Sequence, residues 1–130
     1  DPITNLNAGN EILMNAEKWV DVMGEQRLEQ HGQILRQRLL KGVKARFVFQ
    51  ESLIKSMKEE LAAPNQSVER RFIPKVCAVM VLTEKSAGIA LPKLDGKMDY
   101  QVLAGTDPES MKWARDLFED QWNRAKPWHP

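Results

Sequence analysis

Only one of the 130 residues is cysteine, so the chain cannot close an internal disulfide, which suits a reducing cytoplasm. Charge of one sign is also missing. With 19 basic and 18 acidic residues the net charge is +1, and the chain as a whole carries no nucleic-acid signature. No apolar run approaches the roughly 18 residues that cross a bilayer, and no signal peptide is visible, so no membrane partner is expected. Catalytic signatures are absent too: there is no GxSxG, no P-loop and no GxGxxG. The two histidines, His31 and His129, lie far apart with no convergent Cys or carboxylate spacing, which predicts no metal site and no cofactor. The length of 130 residues suits one small α/β domain and is enough to bury a real core.

What is present is a segment that organises the rest, Phe72 to Leu91. Val76 to Leu82 is seven apolar residues without a charge, the pattern of a strand buried on both faces. Cys77 lies inside it and is expected to be an inert core residue. Glu84-Lys85-Ser86 then turns the chain into a second strand, Ala87 to Leu91, and this hairpin is the expected centre of a sheet.

Along the chain, Asp1 to Asn10 reads as a lead-in, and Ile12-Leu13-Met14 as a short strand; Lys18 to Gly24 fits either an extension of it or a loop. Gln26 to Lys41 is predicted helical, with Leu28, His31, Gly32, Leu35 and Leu39 on one face and Gly42 as its stop. Val43 to Gln50 follows as a buried strand, so the crossover predicts a right-handed parallel pair with the Ile12 strand. Ser52 to Ala63 is predicted as a second helix capped by Ser52, with Leu53, Ile54, Met57 and Leu61 as its stripe, ended by Pro64 and Asn65. Glu69 to Phe72 introduces a strand that Pro74 breaks or confines to an edge. Asp95-Gly96 makes an exposed turn, and Tyr100 to Leu103 a last short strand.

The final helix, Pro108 to Lys126, has the cleanest pattern. Met111, Trp113, Ala114, Leu117, Phe118, Trp122 and Ala125 share one half, and Asp107 or Thr106 can cap its start. Its tryptophans are expected to pack on the sheet, and Trp113, at the border of the apolar half, is the one expected to meet a ligand or partner chain. Arg70, Arg71 and Lys75 are a candidate anion site, although three basic residues beside a loop more often form a solvated edge.

Two stretches carry a family resemblance. RQRLLKGVKARFVF, Arg36 to Phe49, resembles the helix, basic-Gly-Val-basic, apolar-strand element of the phospholipase D-like fold. AVMVLTEKSAGIALPKLDGKMDY, Ala78 to Tyr100, followed by GTDPESMKWARDLFEDQW, is similar to the effector domains of archaeal transcriptional regulators, among them the methanogen output domain and the TrmB-like sensors. The resemblance runs from Arg36 to Lys126 and implies an α/β fold. The expected architecture is a two-layer or three-layer mixed sheet, one phospholipase D-like half, with the C-terminal amphipathic helix packed on it. The nuclease and lipase branches carry His-x-Lys-x4-Asp; here Gly32-Gln33 follows His31 and Pro130 follows His129, so their chemistry does not carry over.

The implied role is one non-catalytic effector domain over residues 1–130 that senses a small-molecule effector, only holds a homodimer together, or does both. It would reach DNA through a winged helix lying upstream of Asp1, since the chain begins with Asp rather than Met. Open α/β sheets bind ligands past the carboxyl ends of parallel strands, which nominates Asn15, Gln50, Glu51, Thr83 and Glu84, with Arg71 and Trp113 as further contacts. The alternatives are a remnant phosphodiester hydrolase holding phosphate on Arg70, Arg71 or Lys75, and direct nucleic-acid binding by that basic edge.

Overall fold

The computed structural model describes residues 9–26, 29–63, 65–99 and 103–128. Its middle strand is one the sequence left open. β1 (Trp19–Gly24) pairs in parallel with β2 (Lys44–Gln50), which pairs in parallel with β3 (Val68–Ile73). β4 (Val79–Thr83) runs antiparallel to β1 on its other side, followed outward by β5 (Ala87–Ala90) and β6 (Leu103–Gly105), each antiparallel to its neighbour. β7 (Lys126–Pro127) closes the opposite side against β3, giving the order β6-β5-β4-β1-β2-β3-β7. The sheet is mixed. The Val76–Leu82 hairpin flanks the centre rather than forming it.

The Ile12 segment is helix, not strand. α1 covers residues 9–14, with Ile12, Leu13 and Ala16 buried and Glu11, Met14 and Asn15 exposed. That spacing of i, i+1, i+4 is helical, and a three-residue apolar run could not show it. β1 takes the strand's place, so the parallel partner of β2 is Trp19–Gly24. α2 (Glu29–Leu40) is the crossover between them and stops at Gly42, whose φ of +93° favours glycine. The expected position of Leu28 lies outside the described residues. Ser52–Ala63 is a 3-10 segment, Glu51–Met57, leading into a short α3 (Lys58–Ala62), and the residue before it is Gln50, with no side-chain cap. Ser52 is therefore not the N-cap; its hydroxyl accepts instead from Gln50 Nε2. Met57 is buried, and Leu53, Ile54 and Leu61 pack on the core as the stripe predicted.

Pro74 ends β3 on time. Cys77 is exposed. The strand starts only at Val79, and in the bend before it Val76 and Ala78 point inward, which leaves Cys77 facing out. The last outer strand is Leu103–Gly105, while Tyr100 to Val102 lie outside the described residues.

α4 (Pro108–Arg124) starts as its sequence dictates. Asp107 accepts a hydrogen bond from the Ser110 N–H, with Pro108 in the first turn. Met111, Ala114, Phe118 and Trp122 are buried against one face of the sheet, over Met23, Val48, Met80, Leu82 and Ile89. α1, α2 and the 3-10 segment cover the other face, over Val20, Ala45, Phe47, Phe49 and Val81. Three layers result.

Candidate functional site

The strand directions split the residues nominated from sequence into two groups. β1, β2 and β3 end at Gly24, Gln50 and Ile73, so Gln50 and Glu51 do lie at the carboxyl edge. β4 is antiparallel, and Thr83 pairs with Val20 at the start of β1; Thr83 and Glu84 therefore occupy the opposite edge. Asn15, just before β1, belongs with them, its side-chain amide donating to the Glu11 carbonyl. A single ligand at the carboxyl edge does not gather all five.

Most of these side chains already have structural work. Gln50 accepts from the Val76 N–H and donates to Ser52, tying the end of β2 to the segment before β4. The Glu84 carboxylate accepts from the backbone N–H groups of Glu17, Lys18 and Trp19 at 2.9–3.3 Å. Partial burial pushes its pKa up, but the donors of Lys18, Glu17 and Trp19 outweigh that and hold it below the ordinary glutamate value. Thr83 is fully buried, and its hydroxyl accepts from the N–H groups of Lys85 and Ser86 to shape the hairpin turn. Arg71 donates to the Trp122 carbonyl, and its guanidinium lies 4.2 Å from the Trp122 ring centroid.

Sequence reading missed the main polar cluster. On the α4 side of the sheet, Arg46 bonds both carboxylate oxygens of buried Asp21 and also pairs with Glu119 of α4. Its guanidinium carbon stands 5.0 Å from the Phe118 ring centroid and 5.0 Å from that of Trp122, which stack on each other. Burial raises the Asp21 pKa above the usual carboxylate value against the pull of Arg46, and the hydrogen bond from Arg46 to Asp21 holds the guanidinium protonated. The signal available was Asp21 itself, a lone carboxylate in an apolar strand. With its groups paired to one another the cluster is built to lock α4 to the sheet.

Cavities open on both faces of the sheet among the described residues. One, of ≈ 360 Å³, lies between the outer strands and α4, lined by Ala87, Ile89, Leu103, Glu109, Ser110 and Trp113 among others. Trp113 is 54% exposed there, so it is a surface residue beside a shallow apolar recess, and Leu103 is 63% exposed. The larger, of ≈ 680 Å³, opens between α2 and the opposite face of the sheet. Val22, Leu35, Leu39, Phe47 and Phe49 make it apolar, and Gln26, His31, Arg36, Glu60, Asn65 and Arg70 add polar groups. Phe47 and Phe49 stack at 5.1 Å between centroids, with the Arg70 guanidinium 6.0 Å from the Phe47 centroid. His31, expected at the edge of the core, is part of this wall, and so is Gly32. Arg70 and Arg71 point to opposite faces of β3, so with Lys75 they do not converge on one anion.

Among the described residues, no group of three or more His, Cys, Asp or Glu could hold a metal ion, and no helix is long and apolar enough to cross a membrane.

No curated protein sequence matches the chain. Solved structures do. TrmBL2, an archaeal chromatin protein whose structure shows a novel mode of DNA binding, superposes with a TM-score of 0.79 at 16% identity, over 96% of this chain and 51% of that one. This chain thus spans about half of TrmBL2. NucT from Helicobacter pylori gives 0.74 at 9% identity, covering 98% of this chain and 92% of NucT. Nuc, a phospholipase D family member from Salmonella typhimurium, gives 0.73 at 10% identity over 96% and 91%. These likenesses establish the phospholipase D-like fold. A sequence family matches residues 11–124: "Methanogenesis regulatory protein FilR1, middle domain". By that match the chain belongs to the FilR1 middle-domain family, a regulator-associated domain on a phospholipase D-like fold.

Proposed function

We propose that residues 1–130 act as one non-catalytic sensing domain of a cytoplasmic transcriptional regulator, binding a small molecule and passing its occupancy to a DNA-reading part of the same protein. The observation that carries this reading is the cavity of ≈ 680 Å³ between α2 and the sheet, the size of a small-molecule site, with an apolar wall and six polar residues around it. Family membership supports the regulatory setting. Occupancy would favour one arrangement of two protomers, because a ligand shifts an equilibrium only by its differential affinity for the two states. Gln50 and Glu51 at the carboxyl edge are a secondary contact region. Calorimetry and thermal denaturation against candidate metabolites test the reading: a compound should raise the unfolding midpoint and change sedimentation. A set of metabolites that leaves both unchanged overturns it.

A second reading, favoured by the exposure of Leu103 in β6 and of Trp113 beside it, is that the domain only holds a homodimer together. A tight dimer in sedimentation, with no stabilising metabolite, supports it over sensing. The remnant-hydrolase alternative has little to stand on. Arg71 is committed to Trp122, so loss of a phosphodiesterase activity in Arg71→Ala, with folding intact, is the result that would restore it. Direct nucleic-acid binding by the basic edge predicts a steep fall in affinity with salt.

A further inference from the structure

Gly32 is the fourth residue of the twelve-residue helix α2, and its φ is not positive, so the backbone does not require glycine there. Packing does not require it either. A Cβ at this position would meet only the Arg36 Nη1, at 3.7 Å, an ordinary van der Waals contact. Glycine within a helix costs stability relative to alanine, so the chain gives up helix stability for an absent side chain. What the absence supplies is room, since Gly32 lines the cavity over Phe47 and Phe49. The same cavity carries two guanidinium groups, Arg36 and Arg70, against one carboxylate, Glu60. Arg36 folds over the gap at Gly32, and Arg70 lies above the Phe47 ring, so positive charge is held beside a flat apolar surface.

We infer that this cavity takes a flat, apolar organic anion, an aromatic carboxylate, with its ring system on Phe47 and Phe49 and its carboxylate on Arg36 and Arg70. The inference rests on the sensing reading and adds to it the class of ligand. Guanidinium groups match carboxylates by paired N–H···O bonds, and such charge-assisted bonds strengthen where apolar walls exclude water. A neutral analogue of the same shape keeps the apolar contact and loses the charged one.

The probes are naphthoate and naphthamide, titrated into the full 130-residue chain by calorimetry and followed by methyl-resolved NMR. Naphthoate should bind saturably, shift the Val22, Leu35 and Leu39 methyls, and bind about tenfold or more tighter than the amide. Gly32→Leu should raise the unfolding midpoint, because a good helix former replaces glycine, while weakening naphthoate about tenfold or more by filling the cavity. Arg36→Gln, at an exposed position where folding is not at risk, should weaken naphthoate and leave the amide unchanged. The inference is overturned if the amide binds as tightly as naphthoate, if Gly32→Leu leaves affinity intact, or if the shifted methyls belong to Ile89 and Leu103 at the other recess. The two claims fail separately. Metabolites that stabilise the chain without being anions sink the ligand class and spare sensing; naphthoate bound in the cavity with unchanged sedimentation spares the ligand class and counts against sensing.

Discussion

The Arg46 guanidinium donates to both carboxylate oxygens of Asp21, at 2.9 and 2.8 Å, across neighbouring parallel strands that place the two residues in register. The Asp21 side chain is 6% exposed, so its charge depends on that partner. Arg46→Met should therefore destabilise the fold by about 3 kcal/mol, chiefly by leaving a buried carboxylate uncompensated. Asp21→Val combined with Arg46→Met should recover most of the loss, since apolar pairs of similar volume often replace buried ion pairs at little cost. Urea denaturation of both singles and the double measures the coupling. A double variant as unstable as the sum of the singles would contradict it.

Glu84 gives a pH dependence of defined sign. Its pKa is depressed in the folded state, so the unfolded chain binds the proton more readily. Its contribution is fully present above the ordinary glutamate value and is lost as pH falls through the lower, folded one. Glu84→Gln should cost about 1 kcal/mol near neutral pH, where three N–H groups lose an ionised acceptor that is partly solvated. That deficit should shrink toward zero as pH drops below the carboxylate range. Parallel denaturation series at several acidic pH values follow it, and a constant gap between the two proteins would count against the assignment.

Gly32→Ala should stabilise the chain by about 0.5–1 kcal/mol, because the helix gains from losing glycine and the added methyl meets nothing closer than Arg36 at 3.7 Å. Thermal unfolding reads this directly. A destabilised variant would mean that the helix crowds at this point and that the cavity is not the reason for the glycine.

Trp113→Lys and Leu103→Lys alter side chains that are 54% and 63% exposed, so each should fold as the parent does. If protomers meet along β6, either change should move sedimentation toward the monomer with unchanged circular dichroism. A dimer that survives both substitutions places the contact elsewhere.

The sequence disclosed what depends on local periodicity. α4 follows its apolar half-wheel down to its Asp107 cap, and β2, β4 and β5 follow their apolar runs. It hid β1 because Asp21 interrupts the pattern, and that aspartate makes sense only beside Arg46, 25 residues away. It hid the role of Glu84 for the same reason, since the partners are backbone groups 65–67 residues earlier. Placing Thr83 and Glu84 at the carboxyl edge failed because strand direction is a property of the assembled sheet: a buried run looks the same whether its neighbour is parallel or antiparallel. The cavity was half visible. His31, Gly32, Leu35 and Leu39 were legible as one helix face, but not that the face stands off the sheet enough to leave a hollow.

β7 is two residues long, and the second is Pro127, which faces Arg71 with no N–H to offer. At that position the rim has no donor for an incoming strand, and β7 covers only Arg71 and Phe72 of β3; among the described residues β6 stands last on the other flank. A rim so broken up is a poor template, so any pairing through the backbone would favour the β6 side.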